Sequence, residues 1–376
     1  MEQVPLLVLG AGVDGMLTAL ALAHQGFPVR LLDRDPEPDD DADGFPPTTT
    51  ALLPPYANHE LAGLGLLDAL VPAITEPQGL VHADAQSGRP LRRIALGPAV
   101  RTRWRDPLLA VAVAEMRRLL AAVCAADDMV TVEYGVRPTV VDDVVEGALV
   151  GDETGPSYRA EALIAADGVD SPVRSLVRGG HAVPPPYLVH RGRWPEDVPR
   201  DEIRMWSSPL LHLTCTPTPG SGVADLEMIV RGDVGLAELQ RTGAYHAAEL
   251  RTAVDAALAT PPVRVHHHRP LERWTRHRIA VLGAAAQPLL PHEGQALAQS
   301  VLDAAALGAA FDRWDGRVVA AFEHYERARA IPRARAAARA LDVAGVLHAD
   351  GLVRQLRDCA WAGTSPDPQA SVVSEG

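Results

Sequence analysis

The sequence predicts an α/β protein in which a parallel-sheet domain is assembled from separated segments. That domain carries an inserted antiparallel sheet, and helices close the C-terminus. Three observations predict this. The chain opens as strand, glycine-rich turn, helix, strand. From about residue 180 to 274 it changes to alternating apolar and polar residues. A short all-apolar strand then returns at Ile279-Ala280-Val281-Leu282, ahead of two long helical runs.

The opening unit carries the most information. Leu6-Leu7-Val8-Leu9 reads as a buried strand, Leu17, Leu20 and Ala23 share a helix, and Val29-Arg30-Leu31-Leu32 is the second strand. Between the first strand and the helix lies Gly10-Ala11-Gly12-Val13-Asp14-Gly15, and Asp33 follows 18 residues after Gly15. This is the dinucleotide-binding fingerprint. Gly10 permits the tight turn, Gly12 lets backbone approach a pyrophosphate, and Gly15 lets the helix pack on the strand. A helix N-terminus faces the phosphate charge, and Asp33 stands where a carboxylate accepts hydrogen bonds from a ribose.

Further along, helices are expected from Asn58 to Leu70 and from Leu108 to Ala126. Thr131 to Tyr134 and Thr139 to Val141 read as short strands. A β-ribbon follows, with turns at Glu146-Gly147 and Thr154-Gly155-Pro156. Leu163 to Ala166 is a buried strand feeding Asp167-Gly168. Leu210 to Thr216 and Asp225 to Val230 alternate as antiparallel strands, with a helix near Ala244 to Ala259. Helices then run from Gln295 to Phe311 and from Val318 to about Leu347, the second kinked or broken at Pro332. Ser365 to Gly376 reads as a disordered tail.

Composition excludes several classes. All 35 basic residues are arginine, so lysine Schiff-base chemistry is out, and the net charge of −13 argues against nucleic acid or an anionic membrane as partner. Six acidic residues (Asp35, Glu37, Asp39, Asp40, Asp41 and Asp43) fall in one proline-rich stretch that reads as a solvated loop. Cys124, Cys215 and Cys359 are far apart, which fits a reduced, cytoplasmic compartment. No signal peptide or membrane span is read.

Three segments, in order and spacing, resemble the class A flavoprotein monooxygenases of the para-hydroxybenzoate hydroxylase type. They are Gly10 to Asp33; Ala166-Asp167-Gly168-Val169-Asp170-Ser171-Pro172-Val173-Arg174; and Val281 to Pro288 continuing into Pro291-His292-Glu293-Gly294-Gln295. The resemblance implies an FAD-binding domain over 1–70, 100–178 and 275–325. It implies a substrate domain over 71–99 and 179–274, C-terminal helices over 326–362 and a tail over 363–376. It further implies FAD as cofactor, NAD(P)H as transient reductant and oxygen insertion into a small molecule. Gly10, Gly12, Gly15, Asp33 and Arg34 would hold the adenosine half, with Asp167, Gly168, Gly283 and Gly294 along the rest of the cofactor.

The third segment departs from the family. Ala284 replaces an aspartate that contacts the flavin half, Gln287 replaces a histidine, and Ala296 and Ala298 replace a glycine and an asparagine. Val113 stands where an arginine often begins a helix. A hydrogen bond to a charged group is worth about 1.5–3 kcal/mol, so Ala284 alone weakens FAD about ten- to a hundred-fold.

His292 and Glu293, an adjacent imidazole and carboxylate at the expected flavin–substrate junction, are the candidate acid and base. His190, Trp206 and His212, with Arg191, are candidates to line the substrate pocket. Adjacent strand residues point to opposite faces, so His266-His267-His268 is read as structural and no metal site is expected. The basic run Arg327, Arg329, Arg333, Arg335 and Arg339 reads as a salt-bridged exposed face or subunit contact. Two functions follow. The first is an FAD-dependent monooxygenase acting on an aromatic or polyketide-like small molecule in natural-product biosynthesis. The alternative is a redox-neutral cyclase of the cycloaddition type, a dehydratase or an isomerase, with flavin structural or absent.

Overall fold

The computed structural model describes residues 1–37, 50–144, 147–152, 154–177, 182–183, 187–194, 201–220, 222–232, 234–242, 245–265 and 267–363. Most of the acidic stretch, the residues Glu146, Ala244 and His266, and the C-terminal tail lie outside them.

Five strands build a parallel core in the order Ile279–Val281, Gly155–Ala165, Glu2–Leu9, Val29–Leu32, Val130–Glu133. Their registers end together: Leu9 pairs with both Leu32 and Ala165, Leu32 with Glu133, and Ala165 with Val281. All five C-terminal strand ends therefore open onto one edge, where doubly wound sheets bind ligands. Val140–Val144 and Gly147–Asp152 add an antiparallel ribbon alongside Gly155–Ala165. The helix Val13–His24 packs against Ala296–Arg313, where Gly308 lets the backbones approach; a Cβ there would lie 2.8 Å from the Ala21 carbonyl oxygen.

The second sheet has seven strands, in the order Val263–Arg264, Tyr187–Trp194, Ala224–Arg231, Leu211–Pro217, Glu202–Ser207, Gly79–Asp84, Pro90–Ala95. One face is a dry core. Trp206, Leu211, Leu213, Cys215, Leu226, Met228 and Val230 bury there with Leu250, Ala253, Val254 and Ala257 of the helix Ala248–Leu258. The other face looks toward the nucleotide domain. Thr50, at the start of a three-stranded sheet with Leu109–Ala112 and Ile74–Thr75, donates to Asp225 across 2.5 Å and ties the two halves together.

Several elements differ from the sequence expectation. The expected helix from Leu108 begins as the strand Leu109–Ala112 and becomes helical only at Val113–Ala126. A short continuous apolar run has no period that separates strand from helix. The 58–70 helix is instead Pro55–Gly63 followed by a 3-10 turn, Asp68–Ala73, because the chain passes through a left-handed Gly65 (φ 71°). Ile74–Thr75, expected with the substrate domain, pairs with Leu109–Ala112.

Pro332 does not break its helix, which runs unbroken over Val318–Leu347. Arg329 and Arg333 flank it, and neither belongs to an exposed face. Arg329 donates to Asp303 at 2.7 Å and to Gln299 at 2.7 Å. Arg333 donates to the other Asp303 oxygen at 2.5 Å and to the Gln287 carbonyl at 2.9 Å. This buried network holds both sides of the proline against the 296–313 helix. The interior Pro costs about 3 kcal/mol in a free helix; here tertiary anchors override it.

Candidate active site

The cleft at the strand ends has a volume of about 810 Å³ and is lined by the glycine-rich turn, Asp33 to Asp35, Arg117, Arg137 and residues 166–168. Local backbone geometry explains the glycines. Gly10 has φ 96°, and a Cβ on it would lie 2.7 Å from the Ala166 carbonyl oxygen. Gly15 sits beneath the turn and away from the cleft, where a Cβ would lie 1.8 Å from the Gly10 oxygen. Gly12 and Gly168 both line the cleft, and a Cβ on either would meet nothing. They leave an open cradle that a side chain would fill.

Asp33 is fixed by backbone: one oxygen accepts from the Ala11 N–H at 2.5 Å and the other from the Asp35 N–H at 2.8 Å. Asp167 lines the cleft with one buried oxygen that lacks a hydrogen-bond partner among the described residues. Burial pushes its carboxyl up to about 6, against the pull of Ser171 and Arg34. An orphaned carboxylate oxygen and a glycine cradle fit the adenosine and pyrophosphate half of a dinucleotide.

The third motif contacts the glycine-rich turn. Asp14, inside the glycine-rich turn, crosses to the third motif and accepts from the Ala284 N–H at 3.1 Å. Gly283, at φ 61°, makes room, since a Cβ there would lie 2.1 Å from the Asp14 oxygen. Arg174, the last residue of the second motif, is buried and donates to the Ala285 carbonyl at 2.7 Å and the Ala286 carbonyl at 2.5 Å. Burial lowers it to about 10. It clamps motif two onto motif three and is not among the residues lining the cleft. Gly294, at φ 64°, ends the 3-10 turn Pro291–Glu293 in the left-handed region that glycine favours. Val113 and Arg117, one helical turn apart, both line the cleft.

His292 and Glu293 diverge. Glu293 pairs with Arg339 at 3.1 Å, while His292 turns inward toward the substrate sheet. They are adjacent in sequence but do not form one acid–base pair. His292 packs edge-on to Tyr187 with ring centroids 4.4 Å apart, and lies beside His212 and His348. Burial depresses its proton affinity to about 3, so the ring is neutral at ordinary pH and a weak base.

The strand alternation sorts the substrate candidates. His212 lies on the cleft side of Leu211–Pro217 and is buried, which holds it well below the usual imidazole range. Trp206 faces the opposite way, into the dry core beside Trp194 at 6.1 Å. His190 also points away from the cleft, toward Thr260; its neighbour Gly192, on the same face, sits against the Ala256 backbone. Arg191 and Glu227 occupy the cleft face as an ion pair at 3.2 Å, with Thr214 opposite Glu227 in register. Burial raises the Glu227 carboxyl, partly offset by Arg191. Glu227 had no separate sequence signal beyond its place in an alternating strand. The side chains of His266 and His267 lie outside the described residues.

Comparison with known proteins gives a consistent picture. A family model described as an FAD binding domain matches residues 3–182. A 3-hydroxybenzoate 6-hydroxylase from Polaromonas naphthalenivorans (strain CJ2) is 26% identical, covering 97% of this chain and 93% of its own. A 3-amino-4-hydroxybenzoate 2-monooxygenase from Streptomyces cremeus is 28% identical over 88% and 84%. The crystal structure of Klebsiella pneumoniae HpxO complexed with FAD and uric acid superposes with a TM-score of 0.84 at 22% identity, covering 96% of this chain and 93% of that one. At that identity the match speaks for the fold.

Proposed function

The chain belongs to the class A FAD-dependent aromatic hydroxylases, and from that premise we propose that it hydroxylates a small aromatic ring bearing an ionisable substituent. FAD is the cofactor, and NAD(P)H is the reductant typical of the class. The overall conversion is arene, oxygen, NAD(P)H and a proton to phenol, NAD(P)+ and water; bound FAD supplies the two-electron and oxygen chemistry. Asp33 would accept from ribose hydroxyls. Gly12 would offer backbone to the pyrophosphate, while Gly10, whose N–H is held by the Leu32 carbonyl, shapes the turn; Arg34 and Arg117 would offer positive charge.

The observation that carries the substrate reading is the two-faced second sheet. Its far face is core, while its cleft face holds the partly exposed polar residues Arg191, Thr214 and Glu227. A ring in a largely apolar cleft is oriented by a few such groups, and the Arg191 guanidinium suits a carboxylate or phenolate. The hydroxybenzoate and hydroxynicotinate monooxygenases among the relatives suggest the first compounds to try.

The test begins with the visible spectrum of freshly purified protein, then NADH and NADPH oxidation with oxygen uptake across a panel of hydroxylated aromatic acids and polyketide-like phenols. The expected result is substrate-stimulated consumption and a product heavier by one oxygen atom, labelled when the oxygen gas is labelled. The redox-neutral reading rests on Ala284 and the Asp14 carboxylate, where the third motif contacts the glycine-rich turn. A product of unchanged mass, formed without NAD(P)H or oxygen, would select it and overturn the hydroxylase.

A further inference from the structure

Three histidines far apart in sequence converge on the cleft side of the substrate sheet. His212 comes from the strand Leu211–Pro217, His292 from the 3-10 turn Pro291–Glu293, and His348 from the residue that ends the helix Val318–Leu347. Each offers a ring nitrogen, and these lie within 4.8 Å of one another. The Nε2 atoms of His292 and His348 are 3.3 Å apart. Two nitrogens bound to one tetrahedral zinc at about 2.0–2.1 Å stand about 3.3 Å apart, the edge of that tetrahedron. Drawing in the third nitrogen requires closing a gap of at most about 1.5 Å, the difference between 4.8 and 3.3.

The cluster also holds more buried nitrogen than it has partners for. His212 meets Thr214 Oγ1 through Nε2 at 3.3 Å, while its Nδ1 and the Nδ1 of His292 are buried with no hydrogen-bond partner among the described residues. Orphans of this kind are rare in folded proteins and point to an unseen ion or water. Tyr187, edge-on to His292 and stacked on His348 at 5.3 Å, walls the rings together.

We propose that His212, His292 and His348 bind a first-row divalent transition metal of the zinc class, leaving a fourth position for an anionic ligand. Three uncharged imidazoles do not neutralise a divalent ion. Arg231 and Arg357, which face His348, add further positive charge. Hydroxide, carboxylate or phenolate is the class of fourth ligand that balances the site. Burial keeps all three rings in the neutral, ligating form: about 3 for His292, about 4 for His348 and well below the usual range for His212. The site does not depend on the hydroxylase reading, because its test reads metal and not turnover.

The experiment uses tag-free protein as purified, treated with a chelator, desalted and titrated with zinc chloride. Binding is read by calorimetry and by elemental analysis after a second desalting. One zinc per chain is expected, with a rise in melting temperature. H348Q, at an element end where folding is least at risk, is expected to bind at least a hundred-fold more weakly and to lose the shift. H212Q should behave alike. H266Q/H267Q, which removes two of the three consecutive histidines at 266–268, should retain the binding. Absence of stoichiometric zinc in the wild-type chain, equal binding by folded H348Q, or loss in H266Q/H267Q alone would each overturn the proposal.

Discussion

At position 14 the glycine-rich turn places a carboxylate where the cleft otherwise presents backbone. Asp14 takes the Ala284 N–H, a donor on the cleft side of the third motif. A fixed negative charge beside a pyrophosphate cradle opposes the anion by about 1 kcal/mol, the size of a charge at a partly exposed polar terminus. D14N is therefore expected to tighten FAD about fivefold, measured by fluorescence titration of deflavinated protein. Weaker binding would show instead that Asp14 supplies the carboxylate that Ala284 lacks. A second residue carries stability. Asp303 is fully buried between Arg329 and Arg333. D303A strands two buried guanidiniums, and removing one partner of such a set costs about 3–5 kcal/mol. Urea unfolding should show that loss, with a second consequence at the Gln287 carbonyl, which shares Arg333.

At the scale of elements, periodicity showed the sequence's strands and helices wherever the pattern was long. The opening strand–turn–helix–strand unit, the 211–217 and 224–231 strands and the 296–313 helix were all legible, because side-chain alternation or glycine spacing constrains them locally. The failures were of two kinds. Short apolar runs such as Leu109–Ala112 carry no period, and the continuity of the helix through Pro332 depends on Asp303, which lies 29 residues away. Site residues divided in the same way. Gly10, Gly12, Asp33, Arg34, Asp167 and Gly168 line one cleft because two local motifs hold them. Trp206 and His190 face the other side of their sheet, because alternation along a strand separates two faces without saying which one meets the cleft. That Arg117, one turn after Val113, also lines the cleft requires knowing where the helix starts. That two-faced sheet yields its own prediction. Gly192 meets the 248–258 helix so closely that a Cβ would lie 2.5 Å from the Ala256 carbonyl oxygen. G192A should lift that helix and cost about 1–3 kcal/mol, while FAD affinity, set at the other sheet, stays unchanged. A parallel loss of FAD binding in the folded variant would mean the two sheets are coupled more tightly than the Thr50–Asp225 bridge suggests.

Over the whole molecule, the C-terminal helices pack against the substrate sheet. Arg354 pairs with Asp84, Trp361 packs on His82 at 4.4 Å, and Arg357 donates to the Val346 and Leu347 carbonyls at 2.8 and 2.9 Å. His82, which meets Ser207 Oγ at 2.8 Å, joins His212, His292 and His348 as four imidazoles contributed by both domains and the C-terminal helices. No helix among the described residues is long and apolar enough to cross a membrane. Burial lowers each: His82 and His348 to about 4, His292 to about 3, and His212 well below its ordinary value. An unfolded histidine titrates near 6.5. Between about pH 6.5 and 4 the unfolded chain therefore binds protons that the folded chain refuses. Stability is fully present above that window and is lost as pH falls through it, at up to about 1.4 kcal/mol per pH unit for each histidine. Asp167 works in the opposite direction. Its folded value of about 6 exceeds the unfolded carboxylate's, so the native state takes up a proton first and offsets part of one histidine. Unfolding at pH 5.5 should accordingly take up roughly two to three protons per chain, measurable from the buffer dependence of the calorimetric enthalpy. H82Q should lower that uptake by nearly one, because His82 lies outside the three-histidine cluster and titrates on its own account. A stability that is level from pH 7 to 5 would mean that water reaches these rings, and that the C-terminal helices do not seal the sheet.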